Sequence, residues 1–205
     1  MELLLLYLKA AGFGVAVAAP VGPMSLLCMR RSLTQGWRFG LATGAGIAVA
    51  DGAYAAVAAL GLAGVSAFLL AHERPLHLAA GLFLIWLGVK AFRTPGTRPP
   101  EDGRPAASWR SAFGSAVLLT LTNPPTIIMF AAIFAALAPR AGFDRAAALA
   151  TVSGVFTGSL LWWCGIVAAV STFRHMLGAR VRVWVDRCAG LALGLFGAAE
   201  LRRAL

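Results

Sequence analysis

Leu3–Met29 reads LLLLYLKAAGFGVAVAAPVGPMSLLCM, and this stretch decides the fold. It exceeds the roughly 20 apolar residues that cross the hydrocarbon core of a bilayer, and Lys9 is its single charge. Ala19-Pro20-Val21-Gly22-Pro23 interrupts it. Two prolines there lack the N–H that a helix needs, which frees carbonyls one turn earlier. Lipid offers those carbonyls no partner, so the protein must satisfy them itself. The stretch is therefore expected to be a membrane helix with a break inside it. Its first part resembles a signal peptide ending near Ala16-Val17-Ala18, but Glu2 makes the lead acidic and the apolar run continues to Met29. No cleavage is expected.

Working outward, five more apolar runs follow between charge clusters: Phe39 into the sixties, Leu76–Phe92, Ser111–Leu137, Ala146–Thr172 and Val183–Leu201. The second is too long for one upright span and too short for two, so Gly61 or Gly64 is expected to end it, leaving a short piece before His72. Of 205 residues, 60% are hydrophobic and 13% charged, with a mean hydropathy of +0.79. That composition belongs to an all-α polytopic membrane protein of about six transmembrane helices. No length remains for a soluble domain, so residues 1–205 read as one transmembrane domain.

The net charge is +10, and all but two of the 18 basic residues are Arg. They fall almost entirely between the apolar runs and form no basic helix face, which speaks against nucleic acid. Connectors one, three and five hold twelve of them: Arg30, Arg31 and Arg38; Lys90, Arg93, Arg98, Arg104 and Arg110; Arg174, Arg180, Arg182 and Arg187. Connectors two and four hold three: Arg74, Arg140 and Arg145. The positive-inside rule then makes the odd connectors cytoplasmic and both termini periplasmic. Arg202 and Arg203 at the C-terminus run against that orientation.

The chain also reads as doubled. Thr122-Asn123-Pro124-Pro125 breaks the fourth run where Pro20 to Pro23 break the first, and each break leads through an apolar half-helix and an Arg-bearing turn to a Gly/Ala/Thr-rich helix. Three helices per half make the repeats inverted: residues 1–92 and 111–205, joined by a cytoplasmic connector over 93–110. Paired broken helices in inverted halves point to a transporter's binding site.

Asp51 is the sharpest single residue, mid-helix in Ile47-Ala48-Val49-Ala50-Asp51-Gly52-Ala53-Tyr54. A carboxylate at the bilayer centre costs about 2.5 to 3.5 kcal/mol on insertion scales, so it must face the bundle interior or water. There it can exchange a proton as access alternates, or serve as packing glue to Tyr54 or to Ser and Thr on neighbouring helices. At the first break, Gly22 admits close backbone approach, Ser25 follows, and the half-helix from Pro23 aims its positive end at mid-membrane, which suits a carboxylate. Asn123 and Pro124 repeat the arrangement, with Thr120 and Thr122 nearby; the alternative in both places is an ordinary proline kink. Trp162 and Trp163 lie mid-helix, away from the usual interfacial belt, and either line a substrate path or fill space. Gly40/Gly44, Ser153/Thr157 and Gly190/Gly194 read as helix-packing pairs, and His72, His77 and His175 as solvated. Cys28, Cys164 and Cys188 form no CxxC pair, which indicates neither a zinc site nor a redox relay. No cofactor and no metal is expected.

These motifs resemble the LysE/RhtB superfamily of amino-acid exporters. The resemblance runs through Pro20-Val21-Gly22-Pro23-Met24-Ser25, Arg30-Arg31-Ser32-Leu33 with Gly36 and Gly40, the Gly46/Asp51 helix with Gly61-Leu62, and Leu121-Thr122-Asn123-Pro124. It continues through Gly158-Ser159-Leu160-Leu161-Trp162-Trp163 and Gly190, Gly194 and Gly197. It implies six helices, a bacterial inner-membrane location and proton-driven export of amino acids or related small solutes. By the same resemblance Pro20, Gly22, Pro23, Asn123, Pro124 and Asp51 are the site. Pro125 stands where many members carry Lys, which departs from the lysine or homoserine exporters. The remaining readings are a divalent-metal exporter on the same scaffold, a thiol-redox conduit, an intramembrane enzyme and a non-transporting assembly factor. The first would want clustered ligands in the membrane, the second a cysteine pair, and the third a metal or Ser-His motif. A homo-oligomer is compatible with each.

Overall fold

The computed structural model describes residues 2–20, 22–59, 72–93, 108–123, 126, 130, 144–173 and 179–204. Seven helices make up these residues: α1 (Glu2–Ala18), α2 (Pro23–Thr34), α3 (Trp37–Ala59), α4 (Glu73–Arg93), α5 (Trp109–Leu121), α6 (Arg145–Phe173) and α7 (Ala179–Ala204). The chain is thus an all-helical membrane protein. The break in Leu3–Met29 falls where the prolines put it, and α1 and α2 meet there at an 82° bend. Gly22 caps α2 in extended conformation and Pro23 opens it, a position where the missing N–H is free of cost. Gly36, at φ 107°, makes the tight turn into α3, and its N–H returns to Arg31 O.

α3 and α6 are each long and apolar enough to cross a membrane, and α1 with α2 passes the same test only when the bent pair is taken together. α4 and α7 are 21 and 26 residues long but carry charges at both ends. The sequence places the start of the last helix at Val183; it starts at Ala179, so Arg180 and Arg187 lie on α7 rather than in a connector. Likewise Arg74 lies on α4. Gly61, Gly64, Pro124, Pro125, Arg140, Arg174, His175 and most of the 93–110 connector lie outside the described residues, as does most of the fourth span beyond Asn123.

Backbone approach fixes the polarity of each helix pair. A Cβ on Gly154 would strike Tyr7, and one on Gly158 would strike Ala11, so α1 and α6 run parallel. Gly46 abuts Phe113, and Tyr54 reaches Leu121, so α3 and α5 also run parallel. Gly44 abuts Trp163 and Gly52 abuts Phe156, which makes α3 and α6 antiparallel. The α4–α7 pair is antiparallel too, with Gly81 on Gly197 and Gly88 on Gly190 and Gly194. Small residues permit these approaches because lipid provides no hydrophobic drive, leaving van der Waals contact to hold the helices. Gly190/Gly194 therefore packs as its spacing predicts. Ser153, in contrast, is exposed and bonds back to Leu149 O, while its neighbour Gly154 makes the approach, against Tyr7 and Ala10.

Arg31, expected in the first connector, is buried at the end of α2. Its guanidinium donates to Thr43 Oγ1 at 3.0 Å, Ala112 O at 2.9 Å and Ser115 Oγ at 2.9 Å. A buried cation survives when its donors are satisfied, and these bonds tie α2 to the starts of α3 and α5. Beside it, Arg30 Nε donates to Asp186 Oδ1 of α7 at 2.6 Å.

Candidate functional site

Both breaks meet at one cavity of about 380 Å³. α1 and α2 contribute Pro20, Gly22, Pro23, Met24 and Ser25; α3 contributes Asp51; the end of α5 contributes Thr120 and Asn123. α6 adds Trp163, and α7 closes the lining with Phe196, Glu200 and Arg203. Thr120 Oγ1 donates to Met24 Sδ at 3.5 Å, joining one break to the other.

Proline chemistry explains how the breaks are held. In the first, Ser25 Oγ donates to Pro20 O at 3.1 Å, and Leu26 N–H donates to Gly22 O. In the second, Pro125 has no N–H for Leu121 O, and the Tyr54 hydroxyl replaces it at 2.7 Å. Asn123 N–H turns back to Thr120 O at 3.1 Å, and the Asn123 amide donates to Thr126 Oγ1 at 3.0 Å.

Asp51 is 2% exposed. Ser159 of α6 donates to its Oδ2 at 2.6 Å, so the serine and not Tyr54 is its hydroxyl partner. Ser159 and Trp163 lie one turn apart and share a face of α6. Trp163 is also 2% exposed, and its Nε1 has no hydrogen-bond partner among the described residues. The cavity lining thus includes a buried acid and the residue of an unmet N–H donor, among apolar Met24, Ile47 and Phe196 and polar Ser25, Thr120, Asn123, Glu200 and Arg203.

Of the residues singled out from sequence, Pro20, Gly22, Pro23, Ser25, Asp51, Asn123 and Trp163 line this cavity. Tyr54 does not; it caps Leu121 O and stacks on Phe130 at 5.4 Å. Thr122 bonds back to Leu118 O at 2.8 Å. Trp162 packs, half-buried, against the hydrophobic core, and Pro124 lies outside the described residues.

Sequence reasoning missed the contribution of α7. Glu200 is buried and bonded to His77 Nδ1 at 2.5 Å and to Arg203 at 3.1 Å, so His77 is not solvated. Asp186 is 1% exposed and paired with Arg30, so Asp51 is not the sole acid of the buried bundle. The one local signal was Glu200 three residues before Arg203 at a helix end.

Residues 15–203 match the family of LysE type translocators. The chain is 32% identical over 203 residues to Chemotactic transduction protein ChpE of Pseudomonas aeruginosa, covering 96% of this chain and 98% of that one. It is 27% identical to Putative amino acid efflux protein YcgF of Bacillus subtilis, covering 94% and 93%. Homoserine/homoserine lactone efflux protein of Salmonella typhimurium is 32% identical over 114 residues, 55% of each chain. No solved structure matches. A match that spans the first break, Asp51, the second break and all but the end of α7 means that this chain belongs to the LysE type translocator family.

Proposed function

We propose that the chain exports amino acids or related small solutes across the bacterial inner membrane in exchange for protons. The observation that carries this reading is the single cavity where both helix breaks meet a buried carboxylate. The names of YcgF and of the Salmonella relative point the same way. A solute's ammonium group would sit at Asp51, and its carboxylate would face the start of α2, whose positive end opens on the cavity. Proton and solute would compete for Asp51, which couples their movements.

Six spans in two inverted halves support that cycle. Spans one and five run parallel, as do two and four, while two and five, and three and six, run antiparallel. Exchanging the halves maps this pattern onto itself: the pair of spans one and five becomes that of four and two. We take residues 1–92 and 111–205 as the halves, with connectors one, three and five cytoplasmic and both termini periplasmic.

The test is efflux from proteoliposomes loaded with a panel of amino acids, with and without an imposed pH gradient. Wild type should accelerate with the gradient, and Asp51→Asn should fold yet move solute at the background rate. Indifference of the wild type to the gradient would sink the coupling; full-rate transport by Asp51→Asn would sink the role of the carboxylate. The name of ChpE favours a second reading, a membrane component of signal transduction. Absence of efflux for every amino acid tested, in a folded wild type, would select it.

A further inference from the structure

The starts of α3, α5 and α7 lie in one layer of the bundle. This follows from side chains at the end of α2: Arg31 bonds to Thr43 of α3 and to Ala112 and Ser115 of α5, and Arg30 bonds to Asp186 of α7. Each of the three starts carries an exposed tryptophan with arginine beside it. Trp37 is 51% exposed, with the Arg38 guanidinium 5.4 Å from its ring centroid. Trp109 is 58% exposed, with Arg110 at 5.4 Å. Trp184 is 65% exposed; Arg180 and Arg187, both exposed, lie four residues before and three after it, on its own helix face.

The charge of this layer differs from that of the opposite one. None of α3, α5 and α7 has an acidic residue in its first turn. At the other face acids interleave with the bases: Glu2 begins α1, Glu73 precedes Arg74 on α4, and Asp144, which accepts the Ala147 N–H at 2.7 Å, precedes Arg145 of α6. The fourth exposed tryptophan among the described residues, Trp86, lies along the body of α4, stacked on Phe83 at 5.6 Å, and its cation is a lysine, Lys90, at 5.0 Å.

From this we infer that the Trp37–Arg38, Trp109–Arg110 and Arg180–Trp184–Arg187 groups form a binding surface for anionic phospholipid headgroups. Guanidinium matches phosphate with paired N–H donors. An indole ring settles at headgroup depth, with its apolar body toward the acyl chains. Stacking on the ring holds Arg38 and Arg110 in place. A free phosphate could use the arginines but not the exposed rings beside them, so the chemistry fits a lipid, which supplies both a phosphate and a chain.

Brominated lipids quench tryptophan on contact and so give relative binding constants. The full chain, in vesicles mixing phosphatidylglycerol with phosphatidylcholine, should favour brominated phosphatidylglycerol by about fivefold or more, roughly one guanidinium's worth at a membrane surface. The preference should fall toward one in high salt, which screens exposed charges, and in an Arg38→Gln/Arg110→Gln/Arg187→Gln variant of unchanged helix content. Equal quenching by both lipids in the wild type overturns the assignment, and so does a preference that the variant or high salt leaves intact. Loss of the preference on adding inorganic phosphate at constant ionic strength would reassign the surface to a free anion and overturn it equally. The salt series on the wild type keeps the question open to refutation if the variant fails to fold.

Discussion

Asp51 and Asp186 are both buried, at 2% and 1% exposure, yet their surroundings differ. Asp186 faces the Arg30 guanidinium at 2.6 Å and lies outside the cavity lining. Asp51 lies on the cavity with a single serine hydroxyl at 2.6 Å. Burial alone therefore does not distinguish the two acids. The difference lies in compensation: a paired carboxylate has its charge met inside the fold, whereas one held by a lone hydroxyl leaves charge for a proton or a cationic ligand.

The largest effect should follow from breaking that contrast at Asp51, where Asn keeps the Ser159 bond but removes the charge: transport falls to background while stability stays within about 1 kcal/mol, the range of a neutral replacement that keeps its hydrogen bond. Next in size, Asp186→Asn should leave the partly buried Arg30 without its counter-charge and cost about 3 kcal/mol, the lower end for a broken buried pair. Replacing both partners, Arg30→Met with Asp186→Leu, should recover most of that loss. Thermal unfolding in detergent separates the cases. If Asp51→Asn proved the more destabilising of the two, the contrast would be wrong.

A smaller effect concerns the breaks. Tyr54→Phe deletes the hydroxyl that serves Leu121 O in place of the N–H missing from Pro125. A buried carbonyl left unmet costs about 1–3 kcal/mol, so this variant should lose stability in that range while keeping its transport rate, since Tyr54 lies off the cavity. A normal melting temperature with slowed transport would move Tyr54 back into the site.

The breaks and Asp51 were legible because their signals are local. Pro20, Pro23, Pro124 and Pro125 remove specific N–H groups, and a lone acid in an apolar run has no connector to belong to. Asp186 was illegible because it sits among Arg180, Arg182 and Arg187, which read as a connector, and its partner Arg30 lies 156 residues away. His77 and Glu200 are 123 residues apart, so neither announces the other. Tyr54, one turn from Asp51, invited a pairing that the helix geometry instead spends on a carbonyl of α5. Trp162 and Trp163 are alike in sequence and differ only in helix phase against α3 and α7, a tertiary quantity.

Trp163 refines the same contrast from the donor side and carries the smallest expected stability change. An unmet buried N–H costs about 1–3 kcal/mol, so Trp163→Phe removes a penalty as well as packing area, and the two should nearly cancel in the unfolding temperature. If the N–H is retained because a transported solute satisfies it, the variant should show a several-fold weaker apparent affinity with its maximal rate preserved, since binding is lost uniformly in ground and transition states. Concentration-dependent efflux from proteoliposomes reads both quantities. A variant destabilised by about 3–5 kcal/mol, as when a core aromatic is truncated, with unchanged affinity would make Trp163 a wall of the cavity and leave recognition to Asp51 and the helix ends.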